Sequence, residues 1–481
     1  MLDAVIVGSG PNGLSAAITL AQEDLEVLVI EAAAEVGGGT RSAALTLDGY
    51  LHDVCSAVHP MGALSPFFGT LPLAEHGLHW TASRVSAAHP LDGGRAALLM
   101  HSMTETGRTL GPDADAWRRL IAPFVEVGPE LFADLLAPLH LPRHPLAMAR
   151  FGWYGIRSAV RLARGALAGE EARALLAGCA AHSVLPLTRL VTGAVGLVFA
   201  TSAHLVDWPC ARGGSRTIGL ALASYLESLG GRIETGSPVE AWSALPPARA
   251  YLFDLSPRQL VAIAGERLPA RYRRRLHRYR YGPGVFKVDW ALDGPIPWQA
   301  PGCAEASTVH VGGTLEEVAA AEAAVWRGEH PERPFVLVAQ QSRLDPGRAP
   351  AGKHTGYAYC HVPSGSDLDM TAAIESQLER FAPGFRDLVL ARFTRSARGF
   401  EEYNPSYPGG AITGGAQDVT QLFTRPVARL DPYATPNPSI YLCSQATPPG
   451  GGVHGMCGHY AARSALARRF GIASARIGSI G

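Results

Sequence analysis

The sequence predicts an α/β protein: a Rossmann-type parallel sheet assembled from both ends of the chain, with an α+β region inserted between them. Three observations carry that expectation. A short apolar strand at the start runs straight into a glycine loop and an alanine-rich helix. A glycine-bounded helix begins at Ser215, and strand-like residues follow it. Near the end, "SIYLCSQA" leads into a second glycine cluster at Gly450-Gly451-Gly452.

The first element is "DAVIVGSGPNGLSAAITLAQEDLEVLVIE". Ala4 to Val7 reads as a parallel strand buried on both faces. It enters the loop Gly8-x-Gly10-x-x-Gly13, with Pro11 and Asn12 as its last variable positions, and Leu14 to Ala21 continues as a helix. Gly8 permits the tight turn, Gly10 lets backbone approach a pyrophosphate, and Gly13 lets helix pack on strand. Free N–H groups at the helix start then face the phosphates. Val27 to Ile30 forms a second strand ending at Glu31, whose carboxylate accepts from an adenosine ribose and repels a 2′-phosphate, which disfavours NADP. A glycine turn without a ligand is the plain alternative, but strand, helix, second strand and acid all stand in register. Asp24 occupies the turn where glycine would ease a left-handed helix end.

"AAAEVGGGTRS" follows Glu31 directly. Gly37, Gly38 and Gly39, then Thr40-Arg41-Ser42, suit a ligand longer than one mononucleotide, which points to FAD. Arg41 either contacts the pyrophosphate or is a solvated surface arginine. No second G-x-G-x-x-G follows a later strand, which argues against a separate NADPH domain.

The middle divides by pattern. Residues 71–204 are mostly alanine- and leucine-rich and read as a helical cap. Residues 205–281 return to the first domain: Gly213-Gly214 opens a helix from Ser215 to Leu229, Gly230-Gly231 ends it, and "RIETGSPVEAW" supplies strand, turn and strand. "RAYLFDLSPRQLVAIAG" adds a buried strand and a helix capped near Ser256-Pro257. The arginines at 271, 273, 274, 275, 278 and 280 either meet anionic lipid headgroups or form a solvated helix face, the simpler reading. Residues 282–400 hold the strand-like runs "GVFKVDWALDG", "PFVLVAQQS" and "HTGYAYCHVP", an antiparallel substrate domain. The first domain is thus discontinuous, residues 1–70, 205–281 and 401–481.

In the last segment Gly451, Gly455, Gly458 and Ala462 fall on one helix face. Gly458 and Ala462 read as close packing onto the first domain. Gly451, Gly452, Val453 and His454 read as the mouth of a ligand site, where a helix N-terminus would stabilise negative charge on a reduced ring.

Composition sets outer limits. Formal charge is zero, 42 basic against 42 acidic residues, so no overall field draws in nucleic acid. Seven cysteines with no C-x-x-C argue against a disulfide framework, a zinc ribbon or a redox dithiol, and for reduced thiols in the cytoplasm. "MLDAVIVGSG" is already a strand and loop rather than a signal peptide. The apolar run "VTGAVGLVFA" falls short of the roughly 20 residues that span a bilayer, so the protein reads as soluble or peripheral at a membrane. No metal-ligand or Ser-His-Asp spacing competes.

In this order, "DAVIVGSGPNGLSAAITL", "EVGGGTRS", "GGSRTIGLALASYLESLGG" and "YLCSQATPPGGGVHGM" resemble the phytoene desaturase-like flavoproteins, a family of carotenoid and retinoid oxidoreductases. The wording of "HDVCSAVHP" and "GGGVHGM" is closest to members without an assigned substrate. The resemblance implies the amine oxidase/carotenoid desaturase fold, bound FAD, and hydride transfer to flavin N5 from a C–H bond of a largely apolar small molecule. It places Val239 at the adenine end through its backbone, and leaves oxygen or a quinone as electron acceptor. His59 and His454 become acid–base candidates, each equally a structural donor; His459 reads as structural, and Cys457 as a buried small hydrophobe rather than a covalent flavin link. Two other activities stay open: a saturase or redox-neutral isomerase using reduced flavin, and a non-catalytic binding protein like the Rab GDP-dissociation inhibitors. Intact Gly8, Gly10, Gly13 and Glu31 argue against the last.

Overall fold

The structure is a computed structural model that describes residues 1–472; residues 473–481, the end of the span 401–481 assigned to the first domain, lie outside it. In chain order the elements that position the site begin with β1 (Leu2–Val7), α1 (Pro11–Ala21) and β2 (Val27–Ile30). A hairpin follows, β3 (Val85–Leu91) and β4 (Arg95–Met100). Helices α2 (Gly128–Leu135), α3 (Pro145–Gly155), α4 (Glu170–Ala181) and α5 (Thr192–Val206) come next. Then come α6 (Arg216–Ser228), β5 (Arg232–Glu234) and β6 (Ala248–Phe253). Strands β7 (Gly284–Leu292), β8 (Ala306–Val311), β9 (Val336–Ala339), β10 (His354–Val362) and β11 (Val389–Arg395) lead to β12 (Ile440–Leu442) and α7 (Met456–Ala465).

One sheet has the order β12-β6-β1-β2-β5 and is parallel throughout. Its central strands are apolar because both faces are covered: Ala4, Val5, Ile6 and Val29 have no measurable exposure. Glycine explains how tightly the outer layer sits. A side chain on Gly13 would lie 2.0 Å from the Gly8 carbonyl, so α1 rests on the strand end itself. A side chain on Gly458 would lie 1.8 Å from the Asn12 carbonyl, so α7 packs backbone to backbone on α1. The two ends of the chain therefore meet.

The second sheet runs β11-β7-β10-β9-β8-β3-β4 and is antiparallel except where β8 lies parallel to β3. Here the structure departs from the sequence reading. The stretch 71–204 is not helical throughout, because it contributes the β3–β4 hairpin. Its signal is the turn Asp92-Gly93-Gly94 between "RVSAAHPL" and "RAALLM", a hairpin pattern masked by alanine and leucine. In "RIETGSPVEAW" only Arg232–Glu234 is strand. The final helix starts at Met456 with Gly455 as its left-handed cap (φ 70°), so Gly451 precedes the helix and does not share its face. Among the described residues no helix is long and apolar enough to cross a membrane.

Candidate functional site

The glycine loop lies at the carboxyl end of β1, beside the ends of β2 and β6. Gly8 turns out of β1 with φ 100°, and α1 begins at Pro11 with Gly10 as its cap. The Gly37–Gly39 turn lies directly on this loop: a side chain on Gly38 would meet the Gly10 Cα at 3.0 Å. Asn12 Oδ1 is buried without a partner, an acceptor facing nothing in the protein itself. Beside the loop, Glu31 accepts from the Ser9 N–H (2.9 Å) and hydroxyl (2.6 Å), the Ala33 N–H (2.9 Å) and Arg41 Nη2 (3.0 Å). Arg41, expected at the pyrophosphate, is thus paired with Glu31, and its Nε donates to the Glu35 carbonyl. The segment leading to Val239 docks alongside: Gly236 N–H donates to Ala33 O and Ser237 N–H to Glu31 O. Val239 itself is half-buried against the core of the parallel sheet.

Asp254 is the residue that sequence reasoning missed. It ends β6, and its Oδ2 accepts from the Gly13 N–H at 2.9 Å. A side chain on Gly10 would come within 2.6 Å of the same oxygen. The close neighbour that Gly10 tolerates is therefore this carboxyl, not only a phosphate. Burial, with the Glu31 charge beside it, pushes its pKa up to about 7 against the Gly13 hydrogen bond. The available signal was a charged residue at the carboxyl end of the strand next to β1, where ligands of parallel sheets bind.

A cavity of about 810 Å³ lies within the protein; Gly8, Gly10, Gly13, Glu31 and Asp254 are not among its lining residues. Gly39, Ser56, Ala57 and Met61 border it on the N-terminal side, and Gly451, Gly452, Val453 and His454 on the C-terminal side. Tyr357, Tyr359 and Tyr407 form a wall, and the remainder is mostly apolar side chains of the α2–α5 region and of residues 412–449, with Asp134, Arg425 and Arg429 among them. His454 is a cavity residue. Its Nδ1 accepts from the Met456 N–H (3.0 Å) and so caps α7, which leaves the proton on Nε2, an atom with no protein partner. His59 does not line the cavity. It lies against the Trp80 ring, 5.9 Å between centroids, with Nε2 3.3 Å from the Ser56 hydroxyl. Burial brings both histidines down to about 4, so both are neutral at physiological pH, and Nδ1 of His59, like Nε2 of His454, has no partner in the protein. Cys457 Sγ faces the carbonyls of Thr447 and Gly450 and is absent from the lining. A second missed residue is Lys287 on β7. It is buried, ion-paired with Asp289, and its Nζ lies 4.4 Å from the centre of the Tyr357 ring.

Residues 6–70 match the NAD(P)-binding Rossmann-like domain family. Among whole structures, an oxidoreductase from Methanosarcina mazei superposes with TM-score 0.63 at 16% identity, covering 97% of this chain and 100% of that one. Putrescine oxidase bound to putrescine superposes with TM-score 0.61 at 18% identity, covering 97% and 99%. The chain shares the fold of putrescine oxidase. By sequence it is similar to the rat pyridine nucleotide-disulfide oxidoreductase domain-containing protein 2, 34% identical over 143 residues. That match spans 27% of this chain and 24% of the rat protein, about a quarter of each.

Proposed function

We propose that this chain is an FAD-dependent oxidoreductase acting on a largely apolar small molecule, within the phytoene desaturase-like group. The observation that carries the reading is the mostly apolar cavity, bordered on one side by the turn that lies on the dinucleotide loop and on the other by Gly451–His454. The residues fit the coenzyme at both ends. Gly8–Gly13 and the start of α1 would hold its pyrophosphate, and Glu31 its ribose. The backbone of Gly451–Val453 would hold the polar edge of the ring. One condition attaches: Asp254 must keep its proton beside a pyrophosphate.

When bound, FAD supplies the two-electron acceptor for a hydride. The protein does the rest. Apolar walls desolvate and orient the substrate, Nε2–H of His454 is a fixed donor at the cavity wall, and the α7 cap holds that imidazole in one tautomer. The name of the rat relative includes disulfide oxidoreductase, but all seven cysteines here are free and buried, which favours flavin chemistry on a carbon substrate over dithiol exchange. The test is anaerobic titration of the FAD-loaded protein with apolar alkenes, polyenes and alcohols. Bleaching of the visible flavin band by an apolar compound is the expected result. Failure to bind FAD at any pH between 6 and 9, taken as about two units around the Asp254 transition, overturns the reading.

A further inference from the structure

The cavity opens on a surface that the fold leaves apolar and cationic. Leu139, Phe423 and Leu430 belong to the cavity lining and yet are exposed. Leu141 and Leu146, on the same crossing into α3, are 92% and 87% exposed, and Trp153 on α3 is 66% exposed, so none of the three serves the core. Large apolar side chains collected at one rim mark an interaction surface.

The charge around them is mostly positive, the flanking acids Asp134 and Asp431 being paired with His140 and Arg468. From Leu135 to Gly169 there are five arginines, at 143, 150, 157, 161 and 164, and no aspartate or glutamate. From Val419 to Leu430 there is again no acid, and of the two arginines Arg429 is exposed while Arg425 is buried on the carbonyls of Gln445 and Ala416. Arg143, Arg150, Arg157 and Arg429 form no ion pair among the described residues, although the whole chain is neutral. Arg157 instead lies over the Trp153 ring, 5.0 Å from its centre.

We infer that this rim docks on an anionic lipid bilayer, with Leu139, Leu141, Leu146, Trp153, Phe423 and Leu430 entering the headgroup region and the arginines on phosphates. Exposed leucine and tryptophan flanked by arginine is the composition of interfacial segments, and each cation near an anionic leaflet adds attraction. A protein partner seated here would close the cavity mouth, whereas a bilayer leaves an apolar route into it. Passage of substrate by that route rests on the proposed function; the docking itself does not. The basic helix Ala270–His277, singled out in the sequence for headgroups, is a poorer candidate. Its Tyr272 and Leu276 are buried and no large apolar side chain is exposed on it, so it is a solvated face without a wedge.

The test is flotation of the full chain with vesicles of phosphatidylcholine alone or with about a third phosphatidylserine, which needs neither flavin nor turnover. The protein is expected to float with the anionic vesicles, less at raised salt and less with the neutral ones. Leu141→Asp/Leu146→Asp/Trp153→Asp is expected to cut the bound fraction about tenfold at an unchanged melting temperature. Should that variant misfold, Arg143→Glu/Arg150→Glu is expected to abolish the preference for anionic vesicles. Several results would overturn the inference: no flotation by the native chain, undiminished flotation of both variants, or loss of flotation only in Arg274→Glu/Arg275→Glu. A dimer in sedimentation that Leu146→Asp dissociates would place a second copy on the rim and equally overturn it.

Discussion

Gly13 donates its backbone N–H to Asp254 Oδ2 at 2.9 Å, which seats a carboxyl inside the glycine loop. Its raised pKa of about 7 puts the proton in play at physiological pH. Glu31, Cys443, Cys457 and Tyr407 are the titratable groups coupled to it, and each adds only negative charge when it ionises. A pyrophosphate bound nearby raises the pKa further, so binding takes up a proton. FAD affinity should weaken above pH 7, by up to about tenfold per unit. Asp254→Asn should bind FAD with little pH dependence and more tightly than the native protein at pH 8. Fluorescence titrations at several pH values, with proton uptake from calorimetry in two buffers, check both statements.

Gly10→Val should lose FAD. The added Cβ collides first with Asp254 Oδ2, at 2.6 Å, and not with the coenzyme alone. Gly10→Ala combined with Asp254→Ser, which shortens the opposing side chain, should therefore recover more cofactor than Gly10→Ala alone. Flavin content per protein after dialysis measures the difference.

The contact between α1 and α7 leaves no room for a methyl group. Gly458→Ala forces a carbon to 1.8 Å from the Asn12 carbonyl, a backbone atom held in the first turn of α1. A loss of about 3 kcal/mol or more is expected. Gly451→Ala faces the Thr413 carbonyl at 3.2 Å and Gln445 Oε1, the end of a flexible side chain, at 3.4 Å, and should be close to neutral for stability. Urea unfolding of the two variants separates packing from ligand access.

Acid should destabilise the fold well before its ion-paired carboxylates titrate. His59, His89, His204 and His454 are brought down to about 4, and His182 and His459 to about 3, chiefly by burial. The unfolded chain takes up these protons near 6.5 while the native state refuses them, so stability falls as pH drops below about 6.5 and continues to fall towards 4. His310 and His354 are lowered as well; Asp254 and Asp207 have the opposite sign, because their folded pKa values are the higher, but they are two groups against eight. Urea midpoints at pH 7.5, 6 and 5 should decrease steadily.

What could be read from residues was the part written in local pattern. Gly8, Gly10, Gly13 and Glu31 fall at fixed offsets because strand and helix geometry fix them, and β7, β9 and β10 show in runs of β-branched and aromatic residues. The hairpin β3–β4 was hidden because "RVSAAHPL" and "RAALLM" take strand form only when β3 pairs with β8, over two hundred residues away. Asp254 was hidden for a similar reason. Its neighbour Gly13 is 241 residues distant, and nothing within "LFDLSP" announces which loop the carboxyl will meet. The two histidines illustrate a third limit. His59 and His454 are equivalent by composition, and only the direction of each ring separates the one that lines the cavity from the one beneath Trp80.

Because β12 joins the parallel sheet through β6, and α7 covers α1 where no side chain intervenes, the β1–α1–β2 unit waits during synthesis for a segment made about four hundred residues later. During synthesis the glycine loop emerges early with its helix uncovered. A nascent chain stopped after β11 would carry the whole dinucleotide signature yet lack the partner that closes it, and protease sensitivity of such stalled products would persist until α7 leaves the exit tunnel.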